Sequence, residues 1–224
     1  MTAEEVRKTN NFKSGELTVD RNTEILMEAS DTPQIFTVLR GMGLRYKLTP
    51  DGRRQVLNFI FPGDLIGLQA PMLGELGHSV KSSTSMTLCA FNRKNFFDFF
   101  KSSVRRAYDI TWLAASEEHF MGETLTTLGQ RNAVESVAWA FVKVFQRGKA
   151  LDLVTNNRMP MPFAQQDLAD ALGLSLVHTN KTIKRLRDRQ LVNWSNGVLK
   201  IHDLEKLADI AGMDLGDVRE RPLI

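Results

Sequence analysis

The chain has 224 residues, 42% hydrophobic and 25% charged, which is enough for a real core and for two domains of ordinary globular composition. No apolar run reaches bilayer-spanning length, and the start Met1-Thr2-Ala3-Glu4-Glu5-Val6 lacks the apolar core of a signal peptide, so a cytoplasmic protein without membrane contact is expected. A single cysteine, Cys89, excludes an intrachain disulfide, and a net charge of +3 permits an anionic partner without requiring one.

Short apolar or β-branched runs at 17–19, 25–27, 35–39, 44–48, 55–61 and 87–91 alternate with turn residues. Thr49-Pro50-Asp51-Gly52 reads as a tight hairpin turn, and Phe61-Pro62-Gly63-Asp64 as a second sharp corner. Many short strands without intervening helices predict an antiparallel β-roll over residues 1–100. Cys89 alternates with Leu88 and Ala90 on one of these strands, the setting of a buried structural thiol.

Helical signals begin near Asn92, and Phe96, Phe97, Phe99 and Phe100 are expected to close one end of the roll. A longer helix is expected over 103–128. Ile110, Leu113, Phe120, Met121, Leu125 and Leu128 recur at three- and four-residue intervals, with a gap at Glu117. Such a helix spans roughly 38 Å, more than a small roll covers. Its stripe therefore predicts pairing with the same helix of a second copy, against the alternative of packing wholly within its own chain. Gly129 reads as an interruption, with a hinge at 128–131. Asn132 and Glu135 form a capping box that opens a helix through Val137, Phe141 and Phe145, which Gln146-Arg147-Gly148 is expected to end. A looped stretch containing Pro160 and Pro162 follows. The implied domains are a roll at 1–100, a dimerisation helix and hinge at 101–130, and a third domain at 131–224, making an α+β protein.

In that third domain, Leu168, Ala169 and Leu172 make one buried stripe and Thr179, Ile183 and Leu186 another, separated by Gly173 and a capping Ser175. The pattern is a helix-turn-helix. With those stripes buried, Val177, His178, Asn180, Lys181 and Lys184 must face outward, as on a recognition helix in a major groove. Asn196-Gly197 between the apolar runs at 191–194 and 198–201 adds a hairpin, or wing. Residues 158–200 hold seven Lys or Arg against three Asp, so the chain's excess positive charge is concentrated here. Asp203 is placed to cap a last helix.

Roll, long helix, hinge and winged helix-turn-helix in this order resemble the Crp–Fnr family of bacterial transcription regulators. The resemblance is carried by Leu44-Arg45-Tyr46, Asp51-Gly52-Arg53-Arg54, Phe61-Pro62-Gly63-Asp64-Leu65-Ile66-Gly67, Leu128-Gly129-Gln130-Arg131-Asn132 and the block at 165–187, whose Gly173-Leu174-Ser175 and Val177-His178-Thr179-Asn180-Lys181 are similar to a Fix-type branch. It implies a homodimer on two-fold symmetric double-stranded DNA, with the roll a jelly roll like a cyclic-nucleotide-binding domain. Val177, His178 and Lys181, with Asn180, are the expected base contacts, and Gln165, Ser175 and Lys184 the expected phosphate contacts. Lys181 stands where the family commonly has arginine, so the bidentate fork is lost. RNA polymerase is an implied partner, for which Arg53 and Arg54 offer an exposed turn.

In cyclic-nucleotide-binding members a Gly-Glu pair, an arginine followed by serine or threonine, and a Thr-Ser pair on the long helix hold the ligand. The positions resembling them are Gly67-Leu68, His78-Ser79 and Met121-Gly122. An effector pocket would thus centre on Gly67, His78 and Ser79, without the glutamate or the arginine, and cyclic nucleotide control is not expected. One cysteine cannot hold an iron–sulfur cluster within a chain. No cofactor is expected. Haem at His78 or His119, an unidentified small effector, and a roll without any ligand stay open. An enzyme of the metal-dependent β-roll kind fails on ligand count, because only His78 of four histidines lies in the roll. The remaining rival is a protein-interaction module with an unused helix-turn-helix.

Overall fold

The computed structural model describes Asn10, residues 12–216 and Pro222. Its contacts divide the chain into two units, one running to His119 and the other beginning at Phe120.

The first unit holds β1 (Lys13–Val19), β2 (Glu24–Leu26), β3 (Gln34–Arg40), β4 (Gly43–Leu48), β5 (Arg54–Ile60), β6 (Leu65–Ile66), α1 (Gln69–Leu73), β7 (Ser79–Ser82) and β8 (Met86–Asn92). They form two four-stranded antiparallel sheets, ordered β1-β8-β3-β6 and β2-β7-β4-β5. Both expected turns are present. Gly52, at φ 81°, donates its N–H to the Thr49 carbonyl at 2.8 Å, and the Asp64 carboxylate accepts from the Phe61 N–H at 2.8 Å. Sequence patterning missed β6 and β7, since two residues carry no period and Ser-Val-Lys-Ser has one apolar side chain.

Alternation along β8 builds two layers. Met86, Leu88 and Ala90 enter a core with Phe36, Val38 and Val80, while Cys89 and Phe91 enter a second cluster with Ile35, Phe96, Phe99 and Ile110. Phe96 and Phe99 come from α2 (Phe96–Ser102), so the aromatic run does close this end of the roll; Phe12 meets Phe99 edge-on at 5.1 Å. Phe97 instead is 65% exposed.

The long helix, α3, is Val104–Gln130, 27 residues and about 40 Å. Its apolar repeat divides between two faces. Ile110 and Leu113 are only 4% and 3% exposed within a single chain, and Ile110 packs on the roll's second cluster. They are not available to a second copy, contrary to the expectation from sequence. Phe120 is also engaged internally, stacked on Trp139 with ring centroids 5.9 Å apart. Met121 is half-buried, and Leu125 and Leu128 are exposed. Gly129 does not interrupt the helix, which continues to Gln130.

In the second unit the Asn132–Glu135 capping box opens α4 (Ala133–Ala150) as expected: Asn132 Oδ1 accepts from the Val134 and Glu135 N–H groups, and Glu135 Oε2 accepts from the Asn132 N–H at 2.9 Å. Gly148 does not end this helix. It is buried inside it, where an added Cβ would lie 2.7 Å from Met159 Sδ. Phe141 and Phe145 are fully enclosed, each contributing about 2–3 kcal/mol. The unit continues with β9 (Arg158–Pro160), α5 (Gln165–Leu172), α6 (Leu176–Asp188), β10 (Val192–Ser195), β11 (Val198–Ile201) and α7 (Leu204–Ala211), the last capped by Asp203, whose Oδ1 accepts from the Lys206 N–H at 3.0 Å. The last turns of α3 are tied into this unit. Glu123 pairs with Lys143 at 2.6 Å, and Arg131 donates to Thr127 Oγ1 and to the Ala211 carbonyl.

The two faces of α3 predict opposite responses to truncation. Leu113→Ala should lower stability by about 2–4 kcal/mol in denaturant melts, and Leu125→Ala should stay within about 0.5 kcal/mol under monomeric conditions. Equal effects would refute the assignment of faces.

Candidate nucleic-acid interface

α5 starts without a side-chain acceptor at its cap, because that residue is Ala164. Asp167 compensates by accepting from the Ala164 N–H at 2.8 Å, and Gln166 donates to Asp170 at 2.6 Å. Gly173 ends the helix in the left-handed region, φ 63°, with its own N–H and that of Leu174 on the Ala169 carbonyl. Ser175 Oγ then accepts from the His178 N–H at 3.2 Å and starts α6. This glycine and serine fix the angle between the two helices, as the spacing predicted.

Leu168, Ala169 and Leu172 are buried on α5, and Thr179, Thr182, Ile183 and Leu186 on α6. Sequence reasoning missed Thr182, whose polar hydroxyl hid its place in the stripe. With that side inside, Val177, His178, Asn180, Lys181 and Lys184 are all exposed, Val177 at 78%; Gln165 is half-buried and Ser175 exposed beside them. Val177, Lys181 and Lys184 follow one another by four and three residues, with Asn180 on their flank and His178 aligned with Arg185 seven residues later. The result is an uncovered cationic ridge with hydrogen-bonding and apolar groups, suited chemically to phosphates and to base edges.

The wing has the expected two-residue turn: Asn196 and Gly197 lie at φ 51° and 70°, and Ser195 faces Val198. Trp194 anchors it, donating Nε1–H to the Met161 carbonyl at 3.1 Å and meeting Phe141 edge-on. The stretch expected to be a loop supplies a third strand, β9, paired with β11. Its signal was Asn156-Asn157, a second left-handed pair at φ 50° and 57° that turns Thr155 back onto Arg158. The outer side of this sheet carries Arg158, Asn193, Ser195 and Lys200, of which none was singled out as a site residue.

In the roll, the residues expected to line an effector pocket are Gly67, His78 and Ser79. Gly67 lies at φ 87°, where an added Cβ would press on Leu26 at 3.3 Å, and Ser79 Oγ accepts from the Glu28 N–H at 3.0 Å. Burial, helped by the charge of nearby Arg45, holds His78 down at about 4, so it is neutral at pH 7. The cation beside it is Arg45, already engaged. It donates to Glu117 at 2.8 Å and to the Leu65 carbonyl at 2.8 Å, while Asn58 donates to the same Glu117 oxygen at 3.1 Å. The gap that Glu117 leaves in the apolar stripe of α3 is therefore the polar attachment of that helix to β4.

Among the described residues no helix is long and apolar enough to cross a membrane, and no group of three or more potential ligands could hold a metal ion. Residues 16–103 match the cyclic nucleotide-binding domain family, and residues 137–210 match the Crp-like helix-turn-helix domain family. The chain is 29% identical to the nitrogen fixation regulation protein FixK of Bradyrhizobium diazoefficiens over 89% of its own length and 80% of that protein. It is 32% identical to the transcriptional activatory protein AadR of Rhodopseudomonas palustris over 70% of its length and 65% of that protein. The structure of FixK2 from Bradyrhizobium japonicum shares the fold, with a TM-score of 0.78 at 23% identity, covering 88% of this chain and 96% of that one. These relatives are regulators, not enzymes. The chain belongs to the Crp–Fnr family of bacterial transcription regulators, with a Fix-type helix-turn-helix, and is a DNA-binding regulator.

Proposed function

We propose that two copies of the chain act together in the cytoplasm on a two-fold symmetric promoter site, each placing α6 in one of two successive major grooves about 34–36 Å apart. In this reading residues 1–100 form the roll, 101–130 the dimerisation helix and hinge, and 131–224 the DNA-binding domain. Val177 packs on a thymine methyl, His178 donates to a purine N7, Lys181 reaches guanine, and Asn180 assists. Gln165, Ser175 and Lys184 hold phosphates. The open ridge of α6, opposite its buried stripe, is the observation that carries this assignment. For the dimer seam, support comes from the outer face of α3, where exposed Thr111, Ala114, Glu118, Leu125 and Leu128, with half-buried Met121, repeat by three and four residues. The name of AadR as an activatory protein favours activation, with RNA polymerase as a further partner.

The roll works without a cyclic nucleotide. A buried phosphodiester needs a committed cation, whereas His78 is neutral and Arg45 already answers Glu117. Nor does an iron–sulfur cluster fit a chain with the single, buried Cys89.

His178→Ala should weaken binding to a selected operator by about 1–3 kcal/mol and leave random DNA almost unaffected. Lys181→Ala should erase sequence preference, and specific binding should fall steeply with salt. Gel-shift titration measures all three, and equal losses on both DNAs would reduce His178 to a backbone contact. The roll makes a separate prediction. The unfolded chain protonates His78 near 6.5 and the folded chain only near 4, so stability present at neutral pH is lost as pH falls below 6.5. His78→Gln should flatten this slope by up to about 1.4 kcal/mol per pH unit. An unchanged slope would mean that His78 is charged in the fold.

A further inference from the structure

We infer that Glu118 acts as a brake on pairing of the two copies, placing like charges face to face in the middle of the α3 seam. This rests on the reading of α3 as the dimer helix. On its outer face Thr111, Glu118 and Leu125 stand seven residues apart, and Ala114, Met121 and Leu128 form the interleaved set. When parallel helices pair about a two-fold axis, a residue on such a seam meets its own counterpart.

Adjacent carboxylates have opposite fates here. Glu117 turns inward and is held by Arg45 and Asn58. Glu118, about 100° further round the helix, is exposed and makes no hydrogen bond or ion pair among the described residues. One turn away on either side lie Ala114, Ala115, Met121 and Gly122, which are small or apolar and carry no charge to offset it. Pairing therefore removes two Glu118 carboxylates from water and opposes them, with apolar side chains below and small ones above. The apolar lower half, Met121 to Leu128, drives association; Glu118 holds it at a marginal level. Dimer formation then follows the concentration of the chain, and operator occupancy rises more steeply than in proportion to it.

Charge exchange in the full-length protein tests this. By sedimentation equilibrium, E118L should dimerise about tenfold or more tightly than the parent chain, and E118K should be as weak as the parent. Mixing differently labelled parent and E118K chains should give heterodimers in about tenfold or greater excess over statistical exchange, read by energy transfer. Statistical mixing in a chain that still dimerises would overturn the brake and leave the dimer standing. A chain that stays monomeric even as E118L would overturn the dimer reading, and the brake with it.

Discussion

Burial of α4 holds the exposed ridge of α6 in place, because α5, α6 and α7 all pack on this one helix. Its interior stripe, with Phe141 and Phe145 fully enclosed, leaves little room for those neighbours to slide in a densely packed core. Once α6 commits Thr179, Thr182, Ile183 and Leu186 to that core, its opposite side has no choice but to be open. Recognition chemistry is thus a remainder of packing. The exposed side chains of α6, from Val177 to Lys184, lie outside the stripe that holds the helix.

The same logic of sides runs along α3. One side gives Ile110 to the roll and Glu117 to Arg45, buries Leu113 between them, and later gives Phe120 to Trp139. A partly buried charge pair of this kind contributes little net stability, since desolvation offsets attraction. What it does is specify: the Arg45 guanidinium, hydrogen-bonded to Glu117 and the Leu65 carbonyl, admits few other arrangements of helix on sheet. It also takes the roll's local cation out of competition for an outside anion.

Much of this was legible in the residues, and the failures have physical causes. Gly173, Ser175, Asn132 with Glu135, and Asn196-Gly197 state backbone geometry directly, so the helix-turn-helix, the capping box and the wing could be placed before any coordinates. The stripe of Ile110 and Leu113 was visible too, but periodicity reports that a face is covered and not what covers it. A second copy and the chain's own roll leave the same trace. Glu117 broke the pattern because its partner is 72 residues away. β9 was hidden by Pro160 and Pro162, which argue against a strand unless it lies at a sheet's edge.

That edge position has a consequence of its own. A bare sheet margin invites strands from other molecules to add on, a hazard for chains crowded side by side on one promoter. The free margin of β9 gives an intruder little to grip: the Arg158 amide is already spent on the Thr155 carbonyl, and Pro160 has no amide hydrogen to offer. The proline that disguised the strand also guards this border of the wing against accretion.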